Sequence, residues 1–368
     1  MKIKIQQREL SKCINIVQKG ISSKTTLPIL SGILLEAKEG KLKLTGTDLE
    51  IGIKSSVDCE TIKEGSIVIT SRIFGDIIRK LPDMPIEINV DENNNMHIQC
   101  GNSKFNLIGQ SAIDYPQLPE IFESNYFEIP KDLLKSMIRQ TIFATAQDET
   151  RPILTGALLE TSNNNVSLVA IDGYRLAVKK VSVNVSEDIK VVIPAKTLNE
   201  VNKILEDDDA EVKISYNQGN IIFNIGDTLI TSRLLEGQFL NYSDIIRNEY
   251  KLKAKVNTRD FQECLERASL LAREGKNNLV KIDISDDKLI ITSNSEIGNV
   301  HEELPIKLEG NDIKIAFNSK YILEGIKAID SEEIEMNMIS NVNPCIIRPV
   351  EDNSYTYLVL PVRLAADE

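Results

Sequence analysis

Acidic residues recur at the turns of this sequence, and a cluster of such carboxylates could hold catalytic metal ions. Asp48, Asp172 and Asp283 occur once in each third of the chain. Two-metal hydrolases hold their ions about 4 Å apart, so their carboxylates must share one pocket. We expect these three acids to lie far apart, because they occupy comparable places in separate repeats. A metal-dependent hydrolase or nuclease is therefore only the alternative prediction, and Asp172-Gly is better explained as a turn.

Other catalytic patterns are missing from the sequence. The two histidines, His97 and His301, have no nucleophile pattern beside them, and neither type of glycine-rich phosphate loop occurs. The five cysteines are scattered without a Cys-x-x-Cys pair, which indicates reduced, mostly buried thiols. No apolar run reaches the ~20 residues that span a bilayer, and the start lacks a signal-peptide pattern. The sequence thus predicts a cytoplasmic protein that is not an enzyme and has no cofactor or metal.

One long motif is repeated along the chain and sets its organisation. Leu-Pro-Ile-Leu-Ser-Gly-Ile-Leu-Leu-Glu (27–36) is repeated as Arg-Pro-Ile-Leu-Thr-Gly-Ala-Leu-Leu-Glu (151–160). A fainter third copy is Asn-Leu-Val-Lys-Ile-Asp-Ile (278–284). The first two copies are 124 residues apart, far longer than the roughly 20–50 residues of a solenoid unit. The sequence therefore predicts three tandem domains, at 1–120, 126–245 and 250–368.

Each repeat is predicted to carry two helices among many short strands, which gives an α+β fold. Apolar residues spaced three and four apart predict first helices near 8–19, 131–143 and 258–273. The second helices are predicted near 71–81, 196–205 and 319–328. Ser71 and Thr258 are placed at helix N-caps, where a hydroxyl is favoured.

Charge is unevenly distributed between these helices and the rest of the chain. The net charge is −12, which by itself argues against a polyanion partner. The six predicted helices together carry +8, which leaves −20 for the strands and loops. This contrast is either chance or a sign that one basic face binds a polyanion. Basic helices surrounding a hole would hold DNA through its phosphates, without reading its sequence.

Five short motifs occur in a fixed order along the chain: Thr-Leu-Pro-Ile-Leu (26–30), Leu-Thr-Gly-Thr-Asp-Leu-Glu (44–50), Arg-Pro-Ile-Leu-Thr-Gly (151–156), Asp-Gly-Tyr-Arg-Leu-Ala (172–177) and Leu-Pro-Val-Arg-Leu (360–364). Through these motifs the sequence resembles the bacterial β sliding clamp family, the processivity subunits of the replicative DNA polymerase III, over essentially its whole length. The resemblance implies a ring-shaped, head-to-tail homodimer with helices lining a central channel. It also implies DNA encircled by the ring, an ATP-driven clamp loader, and polymerase and repair partners that bind through short linear peptides.

The resemblance assigns roles to particular residues. The family's peptide groove matches Leu154, Asp172, Gly173, Tyr174, Arg175, Leu176, Asn318, Tyr321, Val342, Leu358, Val359, Leu360, Pro361, Val362 and Arg363. Its DNA-facing positions match Lys24, Arg72, Arg79, Lys135, Arg139, Arg151 and Lys196, and its dimer contact matches Phe105, Leu107, Leu270 and Leu271. In the groove, aliphatic walls would take apolar anchors while Arg175 and Asn318 fix the peptide.

Two further interpretations of the same residues stay open. Leu358–Leu364 could simply be a core strand that ends the last domain. The whole chain could also be a scaffold of tandem domains that binds peptides but not DNA.

Glu302 and Glu303 could pair across a dimer contact with Lys104 or Arg72, although exposed pairs of this kind contribute only ~0–1 kcal/mol each.

Overall fold

The structure is a computed structural model that describes residues 1–22, 25–119, 126–148, 150–185, 187–217, 219–247, 249–275 and 278–363. These residues divide into two compact units. Unit 1 comprises Met1–Asp132 and Glu200–Leu234, and unit 2 comprises Leu133–Asn199 and Leu235–Glu368.

Six α-helices occur in the described residues, in the six places where the apolar spacing predicts them. They are α1 (Gln7–Val17), α2 (Ser71–Lys80), α3 (Lys131–Thr141), α4 (Ala195–Ile204), α5 (Thr258–Glu274) and α6 (Ser319–Lys327). The predicted N-caps are wrong by one residue. Asn257 is the N-cap of α5, and its side chain accepts a hydrogen bond from the backbone of Asp260. Thr70 precedes α2 without a side-chain cap.

The strands form four antiparallel sheets. In chain order they are β1 (Lys2–Gln6), β2 (Gly32–Lys38), β3 (Lys41–Thr47), β4 (Ile51–Asp58), β5 (Glu60–Lys63), β6 (Gly65–Thr70), β7 (Pro85–Val90), β8 (Asn95–Cys100), β9 (Ser103–Ile108), β10 (Tyr126–Pro130), β11 (Gly156–Ser162), β12 (Asn165–Ile171), β13 (Arg175–Ser182), β14 (Lys190–Pro194), β15 (Glu211–Tyr216), β16 (Asn220–Ile225), β17 (Thr228–Arg233), β18 (Leu252–Asn257), β19 (Leu279–Ser285), β20 (Lys288–Ser295), β21 (Gly298–Pro305), β22 (Lys307–Gly310), β23 (Ile313–Asn318), β24 (Glu333–Met338), β25 (Cys345–Pro349) and β26 (Tyr355–Val359).

Each unit contains one sheet that continues from one sequence repeat into the next. In unit 1 the order is β10-β15-β16-β17-β4-β3-β2-β6, and β17 pairs with β4. In unit 2 the order is β14-β11-β12-β13-β26-β25-β24-β18-β22, and β13 pairs with β26. Unit 1 also has the sheet β5-β1-β7-β8-β9, and unit 2 has the sheet β21-β20-β19-β23.

The cores are mostly aliphatic, with a few fully buried rings such as Phe74 and Tyr357. Alternation predicts half-buried strands such as β7, where Ile86 and Ile88 face inward. Strand β12 is instead buried on both faces from Val166 onward. Four of the five cysteines are buried and all are free, as expected. No helix in the described ranges is both long and apolar enough to cross a membrane.

Candidate functional site

A tight turn between β12 and β13 forms one end of the candidate groove. The carboxylate of Asp172 accepts hydrogen bonds from the backbone N–H groups of Tyr174 (2.8 Å) and Arg175 (3.1 Å). Gly173 has a φ of +95°, in the left-handed region that favours glycine. The structure confirms that Asp172-Gly is a turn, and Asp172 serves as its side-chain acceptor.

Arg175 is buried, and its guanidinium makes three hydrogen bonds within the chain. The side chain is 5% exposed. Its Nε donates to Asp172 Oδ2 at 3.0 Å, Nη1 donates to Glu324, and Nη2 donates to the Phe143 carbonyl at 2.6 Å. Burial works against the charge of Arg175, but Tyr357, Glu324 and Asp172 outweigh it and raise the pKa above its ordinary value. Arg175 therefore links the turn, α6 and the segment around Phe143. Its assignment as a polar contact for a peptide stays a prediction.

Aromatic rings cover the same guanidinium. Tyr321 of α6 lies over it, with 4.6 Å from Arg175 Cζ to the ring centroid. Tyr174 stacks on Tyr321 with centroids 5.8 Å apart, and Tyr174 itself is 59% exposed. The buried cation thus supports an aromatic pair whose outer member reaches solvent.

An apolar cluster forms the floor beside this turn. Its buried members are Leu154, Leu158, Val169, Ile171, Leu176, Val192, Ile346 and Leu358. The partly buried side chains packed on it are Ala146, Ile153, Val178, Leu235, Phe239, Tyr242, Ile245 and Ile246. Partial burial of so many large apolar side chains on one core marks a surface that can take apolar anchors.

The segment after β26 forms the other wall. Strand β26 ends at Val359, two residues before Pro361, which has no N–H for a ladder. The chain stays anchored, because Leu360 N donates to Tyr174 O and Val362 N donates to Ala316 O, both at 2.8 Å. Leu360 is 36% exposed and nearby Val342 is 59% exposed. The core-strand interpretation thus holds up to Val359, and the exposed wall begins at Leu360.

The structure separates the predicted groove residues by accessibility. Leu154, Arg175, Leu176, Leu358 and Val359 are buried, whereas Asp172, Asn318, Tyr321, Pro361 and Val362 are half-buried. Gly173, Tyr174, Val342, Leu360 and Arg363 are exposed. Asn318 is the N-cap of α6, since its Oδ1 accepts from Lys320 N at 3.0 Å. Its carbonyl oxygen is therefore used within the chain, like the guanidinium of Arg175.

The residues matched to the groove leave out the segment from Phe239 to Ile246. This segment lies at the end of the second predicted domain (126–245), and its apolar side chains pack on the apolar cluster. Tyr242 is fixed there by donating to Glu160 Oε2 at 2.7 Å. The signal was present, because five large apolar residues in eight positions are unusual for a solvated loop.

The candidate DNA-facing cations lie on or beside helices, and they differ in their hydrogen bonds and ion pairs within the chain. Arg79 donates to Asn15, Gln18 and Asp76, and Arg139 pairs with Asp330. Arg151 is exposed and donates to the Asp172 carbonyl at 3.3 Å. Arg72 and Lys196 are exposed and Lys135 is half-buried. Lys24 lies outside the described residues.

The candidate dimer residues lie near two sheet edges. Strand β9 is an edge strand that carries Phe105 and Leu107, and Phe105 is 37% exposed. Leu270, on α5, is 63% exposed and Leu271 is half-buried. Helix α5 packs on β21, which is also an edge strand. Glu302 and Glu303 already pair within the chain, with Arg267 (2.7 Å) and Lys288 (2.8 Å).

The three acids predicted at turns have local roles. Asp48 accepts from Glu50 N and Ile51 N, in the same way that Asp172 serves its own turn. Asp283 lies within strand β19 and not at a turn, so that prediction is wrong, and it pairs with Lys314 at 2.8 Å. Each acid thus has a structural role in its own repeat, which leaves the hydrolase alternative without support.

Comparison with known proteins identifies the family. Residues 1–119, 128–241 and 243–363 match the N-terminal, central and C-terminal domains of the DNA polymerase III beta subunit. The chain is 40% identical over 361 residues to a beta sliding clamp of Staphylococcus epidermidis, covering 95% of this chain and 96% of the relative.

Solved structures agree with this match. A DNA polymerase sliding clamp from Bacillus subtilis has a TM-score of 0.97 at 38% identity, over 99% of this chain and 100% of that one. A sliding clamp from Pseudomonas aeruginosa, bound to griselimycin, has a TM-score of 0.94 at 29% identity over the same shares. The chain belongs to the family of DNA polymerase III beta subunits, the sliding clamps, and is a processivity factor of that polymerase rather than an enzyme.

Proposed function

We propose that this protein closes as a head-to-tail homodimer around duplex DNA and tethers its partners through the groove described above. Three domains, at 1–120, 126–245 and 250–368, would supply twelve helices per ring to line the channel. Cyclic closure is the usual result when two different surfaces of one chain complement each other. A polymerase subunit that works on DNA in this way would act in the cytoplasm.

The observation that carries the proposal is the apolar cluster of unit 2. Its buried side chains are contiguous, and three of the residues matched to the groove, Tyr174, Val342 and Leu360, are exposed. Large exposed apolar side chains over a packed apolar floor are the features of a site for apolar anchors of a short peptide. The proposed occupants are short linear peptides of the replicative polymerase, the clamp loader and repair proteins.

The dimer contact is supported by the state of the two edge strands. Strand β9 offers unpaired backbone groups together with Phe105, Leu107 and Ile108, of which Ile108 is 84% exposed. Edge strands of this kind are normally covered or charged, unless another chain pairs with them. On unit 2 the matching apolar face is Leu270 and Leu271 at the end of α5, next to β21.

DNA contact is proposed through the helices. The described candidates are Arg72 and Arg79 on α2, Lys135 and Arg139 on α3, Lys196 on α4, and Arg151. Phosphate contacts made by such cations fall steeply in strength with salt. Retention on DNA would therefore come from topology more than from affinity.

The test is retention on circular DNA. The protein is loaded onto nicked circular DNA with a clamp loader and ATP, isolated at moderate salt, and half of the sample is linearised. We expect the protein to stay on circles and to leave linear DNA by its ends. Equal retention on both forms would show an ordinary DNA-binding protein. No retention despite an active loader would favour the peptide-binding scaffold.

The groove is tested separately with a labelled peptide from the C-terminus of the polymerase subunit. Leu360→Ala removes an exposed groove side chain without opening the core, and should weaken binding by about tenfold, as for a moderate interface contact of ~1–2 kcal/mol. Leu229→Ala, at 37% exposure on β17, is the matched control and should leave the affinity unchanged. Equal affinities for the two variants would remove Leu360 from the site.

A further inference from the structure

The segment that packs on the apolar cluster of unit 2 also carries an ordered carboxylate. Residues Tyr242–Asp244 form one short turn of 3-10 helix, and the side chains of Tyr242 and Ile245 pack on the cluster. Asp244 lies between these two anchored residues and is itself exposed. Its carboxylate is therefore held at the solvent edge of the surface proposed for peptides.

Two neutral side chains fix the position of this carboxylate. Asn241 Nδ2 donates to Asp244 Oδ2 at 2.7 Å, and the Ser243 hydroxyl donates to Asn241 Oδ1 at 2.7 Å. This chain of hydrogen bonds orients Asp244 without neutralising its charge. A side chain that is already held in place loses little further freedom when it meets a binding partner.

Other acids near the cluster are already neutralised by cations of the chain. Glu160 pairs with Lys190 at 2.7 Å, and Glu324 pairs with Arg175. Asp244 has no ion pair with any residue that the structure describes, and its Oδ1 atom accepts no hydrogen bond from those residues. It is thus an ordered carboxylate whose charge is left for an external partner.

The charge of the surrounding segment also favours a positively charged partner. Residues 235–247 contain two acids, Glu236 and Asp244, and one base, Arg247, which gives a net charge of −1. All three side chains are exposed. Arg247 lies three residues after Asp244 but does not bond to it, and no side chain of the described residues holds Glu236 in position. The ordered negative charge of this segment is therefore that of Asp244.

We propose that Asp244 selects partner peptides in which a lysine or arginine lies next to an apolar anchor. The cation would donate a charge-assisted hydrogen bond to Asp244 Oδ1, while the anchor packs beside Tyr242 and Ile245. The inference deepens the proposed function and rests on it, because it names the chemistry of the peptides that the same surface binds. Complementary charge at the edge of an interface contributes specificity more than affinity.

The test starts from the fluorescein-labelled C-terminal peptide of the replicative polymerase subunit. Each residue of the peptide that is not apolar is replaced in turn by lysine and by glutamate, and Kd is measured by fluorescence anisotropy at low salt. At a position beside an apolar residue, we expect the lysine peptide to bind the wild-type protein about three to five times more tightly than the glutamate peptide, as for an exposed charge pair. High salt should remove this difference.

Substitutions of Asp244 identify the group responsible. Asp244→Asn should abolish the preference for lysine at that position, and Asp244→Lys should reverse it in favour of glutamate. Glu236→Gln is the matched control, because it removes an exposed acid of the same segment that no side chain holds, and it should keep the preference. Loss of the preference in Glu236→Gln would overturn the assignment to Asp244. Equal weakening of the lysine and glutamate peptides by Asp244→Asn would also overturn it, since that result shows a structural role.

Failure of the specificity is distinguishable from failure of the peptide site. If the wild type binds the parent peptide, and Leu360→Ala weakens that binding, but lysine and glutamate bind alike at every position, the role of Asp244 is overturned and the site stands. If the wild type binds none of the peptides, the site itself is overturned and the specificity with it.

Discussion

Two turns of this molecule are built alike, but the side chains at the strand junctions that follow them differ in character. In unit 1, Asp48 accepts from Glu50 N (3.1 Å) and Ile51 N (2.9 Å). In unit 2, Asp172 accepts from Tyr174 N and Arg175 N with the same spacing. Each turn leads into a strand that pairs with a strand from the next repeat, β4 with β17 and β13 with β26. The backbone plan is thus conserved between the two copies.

The side chains at these junctions differ in kind. In unit 1, Gly52 faces Thr231, and Leu118 fills the space above Gly52, so that an added Cβ would lie 2.3 Å from Leu118 Cδ2. In unit 2, Leu176 faces Leu358. The first junction is covered by Leu118 and is polar on the partner strand, whereas the second is apolar on both strands and lies in the apolar cluster. The two copies therefore share a backbone plan but differ in side-chain size and polarity at a few register positions.

The largest effect is expected from a substitution that removes the buried ion pairs of Arg175, which are peculiar to the second turn. Arg175→Ala should lower the free energy of unfolding by about 3–5 kcal/mol, because it leaves Asp172 and Glu324 without their buried partner. Denaturant unfolding measures this cost. Arg267→Ala is the control, since its pair with Glu302 is more exposed and should contribute about 1 kcal/mol or less. Equal losses would show that the Arg175 network is not structural.

The next effect tests how the first junction is covered. Gly52→Ala should cost about 1–3 kcal/mol, because the new Cβ overlaps the Leu118 side chain. In the double variant Gly52→Ala/Leu118→Ala the overlap is removed, so the losses of stability of the two single variants should not add. A double-mutant cycle by thermal or denaturant unfolding measures the coupling. Strict additivity would contradict the close contact.

Tyr115 gives a smaller effect with a pH signature. Its hydroxyl donates to the carbonyls of Gly32 and Thr45, while its counterpart 124 residues later is Phe239. Tyr115→Phe should cost about 1 kcal/mol through the lost hydrogen bonds.

The sign of the pH effect follows from burial, which raises the pKa of Tyr115 above its ordinary value. The stability that its neutral hydroxyl contributes is therefore present below pH ~10, the unfolded pKa, and is lost as pH rises above it. Unfolding of Tyr115→Phe and wild type, compared from pH 7 to 11, should show the difference shrinking at high pH. A constant difference would contradict this account.

The smallest effect concerns the turns themselves. Leu49 has a φ of +78° at the position where the second turn has Gly173. Leu49→Gly should stabilise the protein by up to about 1 kcal/mol, since a non-glycine residue is strained there. Gly173→Ala should cost a similar amount. If Leu49→Gly is destabilising, packing of the partly exposed leucine outweighs the strain.

The spacing of apolar residues in the sequence predicted the helices of this fold well. It could not predict which residues far apart in the chain come into contact. The spacing of Leu10, Ile14 and Val17 was enough to predict α1. Arg175 and Glu324 are 149 residues apart in the chain, so no local signal joins them. The segment from Phe239 to Ile246 was left out of the predicted groove residues, because the cluster on which it packs is assembled from distant parts of the chain. The N-cap of α5 was predicted at Thr258, one residue after the true N-cap Asn257, because asparagine caps as well as threonine does.

The two long sheets have a consequence for dividing this chain into pieces. Strands β4 and β17 belong to different repeats but share backbone hydrogen bonds, as do β13 and β26. A fragment cut at a repeat boundary would carry a bare strand edge from the middle of a sheet, and the unpaired backbone groups of such an edge can pair with another chain. Single repeats made in isolation should therefore self-associate. Amide exchange in the whole protein should protect β4 with β17 as one cooperative group, and β13 with β26 as another.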